Sequence, residues 1–145
     1  MKNSGSGPVA LGGKQPPRDT VQRTFEFADR IVQLCVVPDE RPGVARVMMS
    51  QTLRAGTSVP ANVEESQAAQ SKADFVSKMS IALKEARETH LRLRLVAGAA
   101  ILPKERLQLL IDEAEEVKRV IGAIIISTKR RINGWFFNFA FVIFN

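Results

Sequence analysis

The chain has 145 residues, with 21 lysines and arginines against 15 acids and a formal net charge of +6. That length fits one domain around a single core, and the excess of cations favours an anionic partner such as nucleic acid without naming one. Cys35 is the one cysteine, which excludes an internal disulfide and a cysteine zinc cluster and agrees with a reducing, cytoplasmic setting.

Residues 1–20, "MKNSGSGPVALGGKQPPRDT", contain glycine, serine and proline but no apolar run of signal-peptide length, and read as a disordered leader. Over residues 24–35 the spacing of Phe25, Ala28, Val32 and Cys35, broadened by Phe27, Ile31 and Leu34, predicts an amphipathic first helix. Pro38 and Pro42 bias the residues before them away from helix and punctuate the turn, and Pro42 suits an early position of the second helix. That helix is expected over about residues 42–55, with Val44, Val47, Met48 and Leu53 as its apolar positions. A polar turn at 65–71 follows, and Ser71 with Asp74 forms a capping-box variant that opens the third helix.

Phe75, Met79, Ala82, Ala86, His90, Leu93 and Ala97 repeat in fours and threes over residues 72–99, as the seam of a helical bundle does. Pro103 closes a short turn, after which Leu107, Leu110, Ala114, Val117, Ile121, Ile124 and Thr128 repeat the pattern. The predicted fold class is all-α, an antiparallel up-and-down four-helix bundle over residues 21–132. Residues 133–145 form an apolar aromatic tail, too short to cross about 30 Å of hydrocarbon. The tail is expected to pack on the bundle or on a neighbouring subunit, with contact to a membrane surface as the alternative.

Catalytic chemistry finds little footing. His90 is the sole histidine, so a histidine metal site or a Ser-His-Asp triad lacks partners, and its place on the seam reads as a core or interface position. Cys35 lies on the inner stripe with no base near it and reads as a small buried hydrophobe. Glu88 with Arg92 and Glu115 with Arg119 are helix-surface pairs in the favourable order. With no GxGxxG, Walker loop or HExxH, the expectation is a protein without catalysis, metal or cofactor.

The basic residues are more informative. Lys118, Arg119, Lys129, Arg130 and Arg131 fall in a stretch with no acid after Glu116, and Lys84, Arg87 and Arg94 share a face of the third helix. The cluster at 129–131 fits both a helix end stabilised by the macrodipole and a phosphate-binding patch. Repetition by symmetry in an oligomer would enlarge such a patch.

Between the second and third helices stands "QTLRAGTSVPANVEES", residues 51–66. Pro60 cannot donate to the carbonyl of Gly56, so a bent or restarted helix is expected, with Gly56 giving room to bend. Thr57 and Ser58 would meet the freed backbone groups, and Asn62 and Glu65 would bond across to a neighbouring element. Arg54 is the member expected to reach an anion.

The run Gln51, Leu53, Arg54, Ala55, Ser58, Val59, Pro60, Ala61, Asn62 and Glu65 resembles the "QLRRAxxSIPANIAEG" signature of the bacterial four helix bundle family, also called the 23S ribosomal RNA intervening-sequence protein family. Gly56-Thr57 and Glu64-Glu65-Ser66 depart from that pattern, and "FVSKMSIALKEARE" keeps only part of the family's third-helix motif. The resemblance implies an up-and-down helical bundle that assembles as a ring, a homopentamer. It also extends to the accessory variability determinant of diversity-generating retroelements, a basic pentamer of the same fold that works with a reverse transcriptase and binds nucleic acid. The leading expectation is an oligomeric bundle that holds RNA or DNA phosphates through basic faces. Docking of a reverse transcriptase, or a structural bundle without nucleic acid, are the alternatives.

Overall fold

The computed structural model describes residues 17–36 and 43–143, with side chains over 20–36 and 43–134. Four helices follow in order: α1 (Pro17–Val36), α2 (Val44–Gln67), α3 (Lys72–Gly98) and α4 (Lys104–Ile143). The described residues contain no strand. Each helix packs on its neighbours in the chain and α1 closes against α4, whereas the backbones of α1 and α3 do not come close. The core therefore lies between four helices, each giving it one stripe.

The stripes of α3 and α4 follow the seven-residue repeat at most of its positions, but Phe75, His90, Ala97, Ile124 and Thr128 are only partly buried, while Glu85, Thr89, Val96 and Ile125 are buried beside it. Met79, Ala82, Ala86 and Leu93 of α3 meet Leu107, Leu110, Ala114, Val117 and Ile121 of α4, all buried. On α1 the buried set is Phe27, Ala28 and Ile31, while Phe25 is 58% exposed, so the inner stripe is rotated from the expected one. The face of α2 also differs from expectation. Val44 and Val47 are exposed, and the core is met by Thr52, Ala55, Gly56, Val59, Val63 and Ser66. Small side chains set this face because α1 and α3 both approach α2 closely.

The expected bend is absent as a break: α2 runs as one helix from Val44 to Gln67 with Pro60 inside it. An interior proline costs about 3 kcal/mol, but Val59 and Val63 are fully buried on either side, and each such side chain contributes about 1.5–3 kcal/mol when removed from water. Continuing the helix therefore wins over stopping it. Gly56 serves a different purpose from bending. A Cβ there would lie 2.4 Å from Cδ1 of Ile31, itself fully buried, so the glycine permits α1 to seat on α2. Thr57 and Ser58 donate to the carbonyls of Leu53 and Arg54, not to that of Gly56. Asn62 likewise donates to Ser58 of its own helix, and Glu65 lies exposed.

The buried hydroxyls are satisfied within their own helices. Thr52 donates to Met48 at 2.7 Å and Thr89 to Glu85 at 2.7 Å, while Ser66 donates to Val63 at 2.7 Å. Such back-bonding lets small polar side chains occupy a packed contact without an orphaned donor.

The turns are equally specific. Ser71 accepts from the Asp74 amide at 3.0 Å and the Asp74 carboxylate accepts from the Gln70 amide at 3.1 Å, which caps α3 as the sequence predicts. At the other end of α3, the Ile101 amide donates to Val96 and the Ala100 amide to Ala97, with Ala100 at φ 51°. This is the Schellman stop, made here with alanine in the left-handed position that favours glycine.

α4 spans 40 residues and α3 spans 27, or about 60 Å against about 40 Å at 1.5 Å per residue. The backbone of residues 133–143 continues α4; their side chains, and with them the packing expected of the aromatic tail, lie outside the described set. Residues 1–16 of the expected leader lie outside it as well, and α1 opens at Pro17. Pro38 and Pro42 also fall outside the described residues. Among the described residues, no helix is long and apolar enough to cross a membrane.

Candidate nucleic-acid interface

The cations divide by whether a carboxylate reaches them. Arg54 of α2 donates to Glu88 of α3 at 3.0 Å, lies 3.4 Å from Gln51 Oε1, and stands 3.7 Å from Glu85. Arg92 reaches the same Glu88 oxygen from its own helix. That hydrogen bond, with Arg54 adding to it, holds the Glu88 carboxyl below the ordinary glutamate value. Glu85 is buried, and its Oε2 has no hydrogen-bond partner beyond the longer ion pair with Arg54. Arg54 thus fastens α2 to α3, and the signature residues Gln51 and Arg54 belong to an interhelical clamp.

Lys118 and Arg119 are also engaged. Lys118 donates to Glu115 and lies 3.2 Å from Nδ1 of His90, while Arg119 pairs with Glu115 and Glu116. On α1, Arg23 makes a two-point contact with Glu113 of α4, at 2.8 and 3.2 Å. Lys84, Arg87, Arg94, Lys129, Arg130 and Arg131 are exposed and make no ion pair among the described residues. The predicted set is therefore not one patch. It splits into the clamped Arg54, Lys118 and Arg119 and an open group on α3 and the far part of α4.

The edge where α3 meets α4 has a cleft of about 390 Å³ whose lining includes His90, Arg94, Lys104 and Gln108. The sequence reading did not include Lys104; its only signal there is a lysine just after Pro103, across the short turn from Arg94. Gly98 leaves the floor of this cleft open, since nothing lies within 4 Å of where a Cβ would be.

His90 forms the hinge between the two groups. Burial is the first cause holding its imidazole below the ordinary value, the Lys118 charge the second; Glu115 pulls the other way and Arg94 adds to the lowering. Neutral His90 accepts from Lys118 at Nδ1 and directs Nε2 to Glu115 at 3.5 Å. The Lys118 hydrogen bond in turn holds Glu115 below the ordinary carboxyl value. His90 is thereby occupied as part of the α3–α4 contact. Cys35 is half-buried with its thiol pushed up by burial, and its Sγ lies 3.8 Å from the Met49 carbonyl. No group of three metal-ligating side chains comes together among the described residues.

The family model for the 23S rRNA-intervening sequence protein matches residues 18–123. A crystal structure of a protein of unknown function from the S23 ribosomal protein family of Bacteroides thetaiotaomicron superposes with a TM-score of 0.70 at 35% identity, covering 77% of this chain and 98% of that one. No curated protein matches the chain.

Proposed function

The chain belongs to the 23S rRNA-intervening sequence protein family, and from that premise we propose that it is a non-enzymatic, cytoplasmic helical bundle that holds RNA or DNA through the phosphate backbone. The observation that carries the reading is the division of the cations: Arg94, Lys129, Arg130 and Arg131 are exposed and make no ion pair among the described residues, and no acid follows Glu116 in the sequence. Cations arranged this way gain by displacing counterions from a polyanion. They stand at separate places on α3 and α4, which suits contact with phosphates in preference to bases.

The reading includes an antiparallel up-and-down arrangement, supported by connections of only a few residues between α2 and α3 and between α3 and α4. It also includes self-assembly into a ring, for which the family resemblance suggests a homopentamer. In a ring the cluster at 129–131 recurs once per subunit, and weak phosphate contacts add through multivalency.

Fluorescence anisotropy with a labelled structured RNA and with duplex DNA tests the proposal. Complex formation is expected at micromolar protein and low salt, tolerant of sequence. Four phosphate contacts would give about 100-fold weaker binding between about 50 and 200 mM salt. Absence of a complex with either probe at low salt would overturn it.

A further inference from the structure

The outward faces of α1 and α3 carry complementary chemistry that nothing among the described residues uses. On α1, Phe25 and Val36 are 58% and 65% exposed and share an arc of about 100° with Glu26 and Asp29. Neither acid makes an ion pair among the described residues, and Glu26 accepts only from Gln22 of the same helix. On α3, Leu91 and Leu95 are 52% and 49% exposed and lie beside Lys84 and Arg87, which likewise have no carboxylate partner among the described residues. One face is apolar with acids and the other apolar with bases.

We propose that these two faces meet between copies of the chain, α1 of one subunit lying on α3 of the next. This rests on the self-assembly part of the proposed function and assigns its interface. A nucleic acid would match Lys84 and Arg87 but offers nothing to the leucines that follow them along α3, whereas α1 of a second copy offers Phe25 and Val36 to the leucines and Glu26 and Asp29 to the bases. Apolar side chains grouped on an exposed face mark contact surfaces; α2 and α4 also expose such residues, among them Val44 and Leu109, and what singles out α1 and α3 is the opposite charges beside theirs. Opposite charges across the contact fix its register and reject the pairing of like faces.

The placement of the helices fixes the symmetry. The backbones of α1 and α3 do not come close and the two helices sit at opposite corners of the bundle, so their outer faces point away from each other. The contact is therefore head-to-tail, and such contacts close into rings or propagate as filaments; they do not give an isolated two-fold dimer. Both α1 and α3 outer faces are then covered in every subunit of a ring, with Arg94 at the border of the α3 face beside Arg87, while the cluster at 129–131 belongs to α4.

Mass measurement of the full chain by sedimentation velocity, with circular dichroism to confirm folding, tests this assignment. The wild-type chain is expected as a discrete oligomer of its 16.0 kDa subunit. Glu26→Lys with Asp29→Lys places like charges at the contact and is expected to reduce the mass toward a single subunit. Lys84→Glu with Arg87→Glu should do the same from the other side. Combining all four substitutions in one chain restores opposite charges and is expected to restore the oligomer, a rescue that two merely damaged surfaces would not give. Oligomers indifferent to both double variants, or no rescue in the quadruple variant, would overturn the face assignment alone. So would an unchanged mass with lost nucleic-acid binding in the Lys84 and Arg87 variant, which would give that face to phosphates. A monomeric wild type would overturn the self-assembly reading with it, while anisotropy would still report on phosphate binding.

Discussion

Along its edge toward α2, α3 presents Glu85 and Glu88, and the cations that reach them, Arg54 and Arg92, end in ion pairs. Along its edge toward α4 it presents His90 and Arg94, where Glu115 is already engaged by Lys118 and Arg94 and Lys104 line an open cleft. The same helix is thus cancelled electrically on one side and left positive on the other. The difference separates two kinds of basic residue in this chain: Arg54, within the family signature, is a fastening, while Arg94 and residues 129–131 make no ion pair among the described residues. A signature motif can therefore mark the architecture of a family and say little about what its members bind.

The comparison can be broken first at the packing beneath the signature. Gly56→Ala is expected to destabilise the fold by about 1–3 kcal/mol through overpacking against Ile31, in spite of the better helix propensity of alanine. Removing the colliding Cδ1 with Ile31→Val in the same chain should return part of that loss. Chemical denaturation of the two single variants and the double variant measures the coupling, and additive effects would show that the α1–α2 approach is not limited by this contact.

Next in size is the clamp. Arg54→Ala leaves the buried Glu85 without its cation and the half-buried Glu88 with Arg92 alone, and should cost about 1–2 kcal/mol without changing the affinity for nucleic acid. A stable variant with weakened binding would move Arg54 to the functional side of the comparison. Ala100→Gly should stabilise by about 1 kcal/mol, because glycine takes the left-handed position without the penalty paid by alanine; a thermal melt that falls instead would contradict the Schellman geometry.

The smallest effect is expected from pH. His90 titrates below its ordinary value of 6.5 in the fold, so as pH falls through 6.5 the unfolded chain takes up the proton first and stability declines until folded His90 titrates. Glu88 and Glu115, held below 4.5, contribute fully above that value and lose their contribution as pH falls through their lower folded values. His90→Gln should flatten the stability profile just below pH 6.5 while leaving the acid limb below 4.5, as followed by denaturant midpoints across pH.

The helices were legible in sequence where large apolar residues carry the stripe. Leu107, Leu110, Val117 and Ile121 are buried as their spacing predicts. α2 was not legible in the same way, because its inner face is made of Thr52, Ala55 and Gly56, which hydropathy does not distinguish from a solvated surface. Phe25 misled for the converse reason, being a large apolar side chain on the outside. For the candidate site, sequence supplied the cations but not their partners. Which arginine is clamped depends on the register of α2 against α3, and Lys104 joins Arg94 only because the turn at 99–103 brings the ends of α3 and α4 together.

The central claim, that the clamped cations hold the fold while the open ones hold phosphate, is tested most directly by the salt dependence of nucleic-acid affinity in two variants compared with the wild type. With both variants shown to be folded, replacing Lys129, Arg130 and Arg131 by alanine should reduce the slope of log affinity against log salt by about 2–3, and Arg54→Ala should leave it unchanged. A slope unaltered by the triple replacement, or reduced by Arg54→Ala, would contradict the account.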